Sequence, residues 1–163
     1  MKSKIWPLLT SVGLLIVAGG AFLFFVQVTV LQVKNMDRPR TLRIRVHPSE
    51  PFFLFYTNSI YDKPVVEEFQ ASGDAILLKG VRTKDPGVME YYGFDEVKEF
   101  HPVERRFTHP LVIKKGMKEG QGLIVGDKKI YLSDLAEKGD RIQLRAMSLS
   151  LGSYLFSRVL EGA

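Results

Sequence analysis

Apolar positions along this chain follow two different patterns. From residue 5 to residue 33 no ionisable side chain occurs, with Lys2 and Lys4 ahead of the run and Lys34 closing it. Beyond it the pattern turns to short runs of period two. Leu42, Ile44 and Val46 alternate with Arg43, Arg45 and His47, as in a strand with one buried face. Residues 52–56 form a short aromatic run, and residues 65–71 and 75–81 flank a Ser72-Gly73-Asp74 step that signals a hairpin turn. Residues 111–115 and 123–125 lead into Gly126-Asp127-Lys128, after which residues 129–132 return as a second hairpin. The run 141–151 changes parity, with Ile142, Leu144 and Ala146 in one phase and Met147, Leu149 and Leu151 in the other. This predicts a bulge or a strand buried on both faces. Only residues 133–138 read as helical in this part, with Ser133 as N-cap and Gly139 as the stop.

These elements predict an all-β domain, a small antiparallel sandwich or barrel-like fold, tethered by one N-terminal transmembrane helix. The expected organisation is a signal anchor over residues 1–34, a polar linker over 35–40 and the β domain over 41–163. A bilayer core takes about 20 apolar residues to cross, and the charge-free run exceeds that. A cleaved signal peptide and a soluble core helix compete with the anchor. Ala18 and Gly20 fit a cleavage site, but a cut there leaves the apolar stretch Ala21-Phe22-Leu23-Phe24-Phe25-Val26 as a new terminus. An uncleaved anchor is therefore the expectation.

Composition narrows the function classes. The net charge is +5, but without Lys2, Lys4 and Lys34 the remainder is nearly balanced. No nucleic-acid-reading motif accompanies the basic residues, so no nucleic-acid partner is expected. There is no cysteine, which removes disulfides, thiolate metal sites and cysteine nucleophiles. Orientation signals conflict. Lys34, Arg38, Arg40, Arg43 and Arg45 after the run favour a cytoplasmic domain, whereas a basic-then-apolar N-terminus is the layout of an export signal. The expectation is a single-pass protein of the cytoplasmic membrane with its β domain on the extracytoplasmic side. Arg43 and Arg45 then form a solvated strand face, or else touch lipid headgroups.

Candidate chemistry is sparse. His47, His101 and His109 fall in no zinc spacing, and His101 and His109 precede prolines in what reads as a loop. Glu67 and Glu68 are neighbours on a strand and point to opposite faces, one of them a candidate for burial with a partner. Ser59 with Glu67 and a histidine sketches a hydrolase triad, but no nucleophile-elbow glycines surround it. Gly116, Gly120, Gly122 and Gly126 lack the Gly-Lys-Ser/Thr ending of a phosphate loop and read as turns. No catalytic residue, metal or cofactor is expected, and the protein is read as a non-enzyme. The many aromatics between Phe52 and Phe107 exceed what one strand face buries, which suggests an interaction surface in that half.

Phe55-Tyr56-Thr57-Asn58-Ser59-Ile60-Tyr61-Asp62-Lys63-Pro64-Val65-Val66-Glu67-Glu68-Phe69, with Gly73-Asp74-Ala75-Ile76-Leu77-Leu78 and Glu90-Tyr91-Tyr92-Gly93, resembles the domain-of-unknown-function 1850 family. Its members are small bacterial and archaeal proteins whose genes commonly neighbour TAXI-type TRAP transporters, tripartite periplasmic solute uptake systems. The resemblance covers roughly residues 42–93. It marks Asn58, Ser59, Pro64, Val65, Glu67, Glu68, Tyr91, Tyr92 and Gly93 as motif or interaction positions. Asn58 stands where the family usually has histidine, which weakens a catalytic reading. Asn58 and Ser59 are then expected to bond turn backbone, and Glu67 or Glu68 to accept from a neighbouring amide. The resemblance implies a membrane-anchored accessory protein, with a TRAP-type permease and its solute-binding protein as partners. An independent extracytoplasmic ligand-binding or envelope module is the alternative, and a hydrolase the weaker one.

Overall fold

The charge-free run does not fold as one helix. In the computed structural model, which describes residues 5–96 and 98–161 and side chains from Leu9 to Leu160 among them, α1 covers Ile5–Phe25 and β1 covers Gln27–Asn35. The flanking Lys2 and Lys4 lie outside the described residues. The reason for the split is legible in the side chains: Val26, Val28, Val30 and Val33 are β-branched and alternate with Gln27, Thr29 and Gln32, which suits a pleated strand better than a helix. Charge alone could not show this, because glutamine and threonine are polar without being ionised. The expected boundary at residue 34 therefore falls inside a strand. The expected linker is the turn from β1 to β2 (Thr41–Arg45), which pair antiparallel from Val30 opposite Arg45 to Lys34 opposite Thr41.

The remaining strands are β3 (Pro51–Thr57), β4 (Pro64–Ser72), β5 (Ala75–Arg82), β6 (His101–Phe107), β7 (Leu111–Lys114), β8 (Gly122–Val125), β9 (Lys128–Tyr131) and β10 (Arg141–Ser150). Helix α2 spans Pro86–Tyr92 and α3 spans Leu151–Glu161. The strands form two antiparallel sheets, one in the order β2-β1-β10-β7 and one in the order β6-β5-β4-β3-β8-β9. Leu31, Val33, Ile44, Ile142 and Leu144 from the first sheet share a buried cluster with Phe52, Leu54, Phe69, Ile76 and Leu123 from the second. Two sheets with interleaved apolar faces are compatible with a sandwich.

Three expectations change. The segment from His101 to Phe107, read as a loop, is β6, paired with β5 from Ile76 opposite Phe107 to Val81 opposite His101. The expected helix over 133–138 is a single 3₁₀ turn, Leu132–Asp134, preceded by Tyr131 rather than capped by Ser133. The long β run of the C-terminal region stops at Ser150, and α3 follows.

The chain divides into two compact units, residues 29–147 and the two ends of the chain, up to residue 28 and from 148 onward. In the unit made of the ends, the Leu151 N–H donates to the Val26 carbonyl at 2.7 Å. Gly152 lies so close to Leu23 that an added Cβ would sit 3.3 Å from the Leu23 carbonyl oxygen. Large apolar side chains of α1, including Leu14, Leu15, Ile16, Val17 and Phe25, are exposed, as are Leu155, Phe156, Val159 and Leu160 of α3. Among the described residues no helix is long and apolar enough to cross a membrane. The side chains described in α1 begin at Leu9, while its backbone helix runs for 21 residues from Ile5.

Candidate functional site

Within the unit of residues 29–147, a cleft of about 720 Å³ opens beside the β3–β4 pair. Its apolar wall comes from Leu54, Phe69, Leu78, Phe107, Leu111 and Ile113, and Tyr56, Glu67, Tyr91 and Tyr92 supply polar groups. The size and the mostly apolar lining with a few polar groups are those of a small-molecule site.

The polar group begins with register. Val65, Glu67, Phe69 and Ala71 share one face of β4, and Val65, Phe69 and Ala71 are buried. Glu67 therefore occupies a position in an otherwise apolar series. Leu54 lies opposite Glu67 and Tyr56 opposite Val65, which makes Tyr56 the diagonal neighbour of Glu67, within reach of a long side chain. The third member arrives from α2. Asp85 caps this helix by accepting from the N–H groups of Gly87 and Val88, each at 3.1 Å. Pro86 starts it, and Val88 packs on Val65 and Val81. Gly93 ends it at φ 73°, where glycine is unstrained. So held, Tyr92 donates to Glu67 Oε1 at 2.7 Å, and its hydroxyl meets that of Tyr56 at 2.5 Å. Tyr56 also reaches Glu67 Oε1 at 3.3 Å. The Tyr92 ring stacks on Phe94, and Phe94 on buried His101 with ring centres 4.2 Å apart.

Burial pushes the Glu67 carboxyl above its ordinary range, against the lowering effect of the two tyrosine hydroxyls. Burial likewise raises both tyrosines, and the nearby Glu67 charge raises them further. A desolvated carboxyl in a cleft with specific hydroxyl partners is a functional-site candidate on physical grounds.

Two loops border the cleft. In the first, Asn58 Oδ1 accepts from the N–H groups of Ile60 (2.9 Å) and Tyr61 (3.1 Å), and the Asn58 N–H donates to the Lys63 carbonyl at 2.8 Å. This is the turn role expected of Asn58. Tyr61 lies against Gly87, where a Cβ would stand 2.4 Å from the ring. The second loop is organised by Lys115, whose buried ammonium donates to the carbonyls of Gly116 (3.1 Å) and Lys118 (3.2 Å). Lys118 in turn forms an ion pair with Asp62 of the first loop. Ile60 and Met117 line the cleft and are largely exposed.

The motif positions thus separate. Asn58, Ser59, Glu67, Tyr91 and Tyr92 line the cleft. Val65 is buried behind it, Pro64 opens β4 opposite Thr57, and Gly93 caps α2. Glu68 points the other way and pairs with Arg82 at 2.9 Å. The partners of Glu67 are tyrosine hydroxyls rather than the backbone amide expected. Ser59 is exposed with no histidine beside it: His47 bonds Ser49, His109 bonds Thr108, and His101 stacks on Phe94. Among the described residues no group of three or more histidines and carboxylates is placed to hold a metal ion. Of the aromatic surplus, Phe52 and Phe69 stack in the core, Phe55 packs edge-on against Tyr131, and Tyr61 and Tyr91 remain exposed. Sequence reasoning missed Lys115 and Lys118, for which the glycine-rich stretch gave no signal. Tyr56 stood among the aromatics and inside the stretch of resemblance, but not among its marked positions. Compared with known proteins, the chain matches no family model, no curated protein and no solved structure.

Proposed function

We propose that this protein is a membrane-anchored binding module whose cleft holds a small, largely apolar ligand with a polar group directed at Glu67. The cleft carries this reading: an apolar wall beside a desolvated carboxyl held by two tyrosines. Binding is favoured over hydrolysis because the three histidines have other partners than Ser59, Asp62 of its turn is paired with Lys118, and Asn58 is occupied with backbone. The anchor in this reading is α1, whose 21 residues carry no ionisable group and whose large side chains are mostly exposed.

A thermal-shift screen of the full chain in mild detergent tests the cleft. Compounds that stabilise the wild type are expected to lose their effect when Ile113→Trp fills the space. Stabilisation that survives Ile113→Trp would remove the cleft as the site.

Part of the stretch that carries the family resemblance lines the cleft: Tyr56, Asn58, Ser59, Glu67, Tyr91 and Tyr92. That coincidence favours an accessory role beside a TAXI-type TRAP transporter, with the permease and its solute-binding protein as partners and the β domain on the extracytoplasmic side. Copurification with the permease in mild detergent is the expected result. Absence from that complex, with uptake unchanged in a deletion strain, would leave the binding module standing without the transporter.

A further inference from the structure

We infer that the cleft takes an organic ammonium ion with an apolar body. The inference rests on the reading of the cleft as a binding site and names the class of its ligand. Glu67 is the carboxyl lining the cleft, and Arg82 pairs with Glu68 at 2.9 Å, Lys63 with Asp85 at 3.9 Å and Lys118 with Asp62, while Lys114 lines the same cleft. Lys115 is spent on loop carbonyls. Both hydroxyl contacts of Glu67 fall on Oε1, at 2.7 Å from Tyr92 and 3.3 Å from Tyr56, whose one proton is shared with the Tyr92 oxygen at 2.5 Å. A carboxylate has about four acceptor sites, so two neutral donors leave it short of both hydrogen bonds and counter-charge. An ammonium group supplies both at once.

The surroundings suit the same group. The rings of Tyr56, Tyr91 and Tyr92 line the cleft around the carboxylate, and aromatic faces attract cations. Beyond them Leu54, Phe69, Leu78 and Ile113 offer apolar surface, which suits a hydrocarbon or aromatic body. An anionic ligand would instead have to place its charge at Lys114 or Lys118 on the rim, and would bring like charge toward Glu67.

Calorimetry on the full chain in mild detergent at neutral pH separates these chemistries with three probes of similar shape: 2-phenylethylamine, 2-phenylethanol and 3-phenylpropionate. A charge-assisted hydrogen bond is worth about 1.5–3 kcal/mol, so the amine is expected to bind roughly ten-fold or more tighter than the alcohol. Glu67→Gln should bring the two within about two-fold of each other. Tighter binding of the alcohol or the carboxylate, or an amine preference that persists in Glu67→Gln, overturns the inference. The cleft reading survives such a result if Ile113→Trp abolishes whatever binds. Should Glu67→Gln not fold, the wild type gives the answer by carbon NMR. Saturation with amine must shift the Glu67 carboxyl resonance and saturation with alcohol must not, and the same shift with both overturns the inference.

Discussion

A carboxylic acid in an apolar register is the unusual residue of this chain. Val65, Phe69 and Ala71 are each at most 1 % exposed, and Glu67 sits in phase with them. Desolvating a carboxyl favours its neutral form, so the folded-state pKa lies above the ordinary 4.5. A raised folded pKa contributes stability that is full below the unfolded value and is lost as pH rises through the folded value. Glu67→Gln removes that titration. The wild type is therefore expected to gain in melting temperature relative to Glu67→Gln at pH 4 compared with pH 8. A difference that stays constant with pH would show that the carboxyl is not desolvated. The strand period predicted that Glu67 and Glu68 part to opposite faces, and the turn role expected of Asn58 with Ser59 is seen in Asn58. The sequence could not show that Tyr92 meets Tyr56, 36 positions away, because that contact depends on α2 returning across β4. Lys115 was hidden for a similar reason: a buried lysine is satisfied here by carbonyls of its own loop, and carbonyls carry no sequence signature.

At the level of elements, single residues decide where strands stop and how closely they pack. Asn35, 1 % exposed, ends β1 and ties three segments together. Its Oδ1 accepts from the N–H groups of Asp37 (2.8 Å) and Arg38 (3.1 Å), and its Nδ2 donates to the Leu135 carbonyl (3.0 Å) and Asp140 (2.8 Å). Asn35→Ala leaves several of these groups unpaired, and a cost of about 2–4 kcal/mol in chemical denaturation is expected. Gly122 is constrained by space. A Cβ there would stand 2.4 Å from the Ile130 carbonyl oxygen and 2.5 Å from the Phe55 ring. A backbone carbonyl within the β8–β9 ladder cannot step aside as a flexible side chain does. Gly122→Ala should cost about 1–3 kcal/mol, whereas Gly116→Ala, with only the Gln121 side-chain oxygen at 3.6 Å, should be close to neutral. Equal melting temperatures for the two variants would contradict this packing. The strands with clean alternation or a glycine turn were legible from pattern. β6 was not, because His101, Pro102 and the charged Glu104, Arg105 and Arg106 disguise a strand with only its His101 end buried. α3 was not either, because its Leu151, Leu155 and Val159 continue the apolar spacing of β10 without a proline to separate them.

For the whole molecule, the decisive property is what surrounds α1. Leu14, Leu15, Ile16 and Val17 are consecutive and each about 70 % exposed, and Phe24 and Phe25 repeat the pattern at the C-terminal end. Four successive positions cover every side of a helix. An ordinary amphipathic helix shows one apolar stripe, so a single groove on a partner protein would leave much of α1 uncovered. Lipid would cover all sides without specific contacts, as the proposed anchor requires. Within the same unit α3 presents Leu155, Phe156, Val159 and Leu160 while carrying Ser153, Ser157 and Arg158 on its remaining positions. A charge at the centre of an inserted helix costs about 2.5–3.5 kcal/mol. Leu15→Arg together with Ile16→Arg is therefore expected to lower membrane partition by roughly a thousand-fold or more. Sedimentation of membranes after alkaline extraction measures it, with wild type in the pellet and the double variant in the supernatant. If both variants stay soluble after extraction, α1 is covered by protein instead. If both pellet, the binding does not depend on α1. Because the chain has no cysteine, Asp127→Cys in the β8–β9 turn gives the side of the membrane directly. Labelling of intact cells by an impermeant thiol reagent is expected for an extracytoplasmic β domain. Labelling only after lysis would follow the basic residues after the apolar run instead, and would place the cleft where cytoplasmic amines, not periplasmic solutes, reach it.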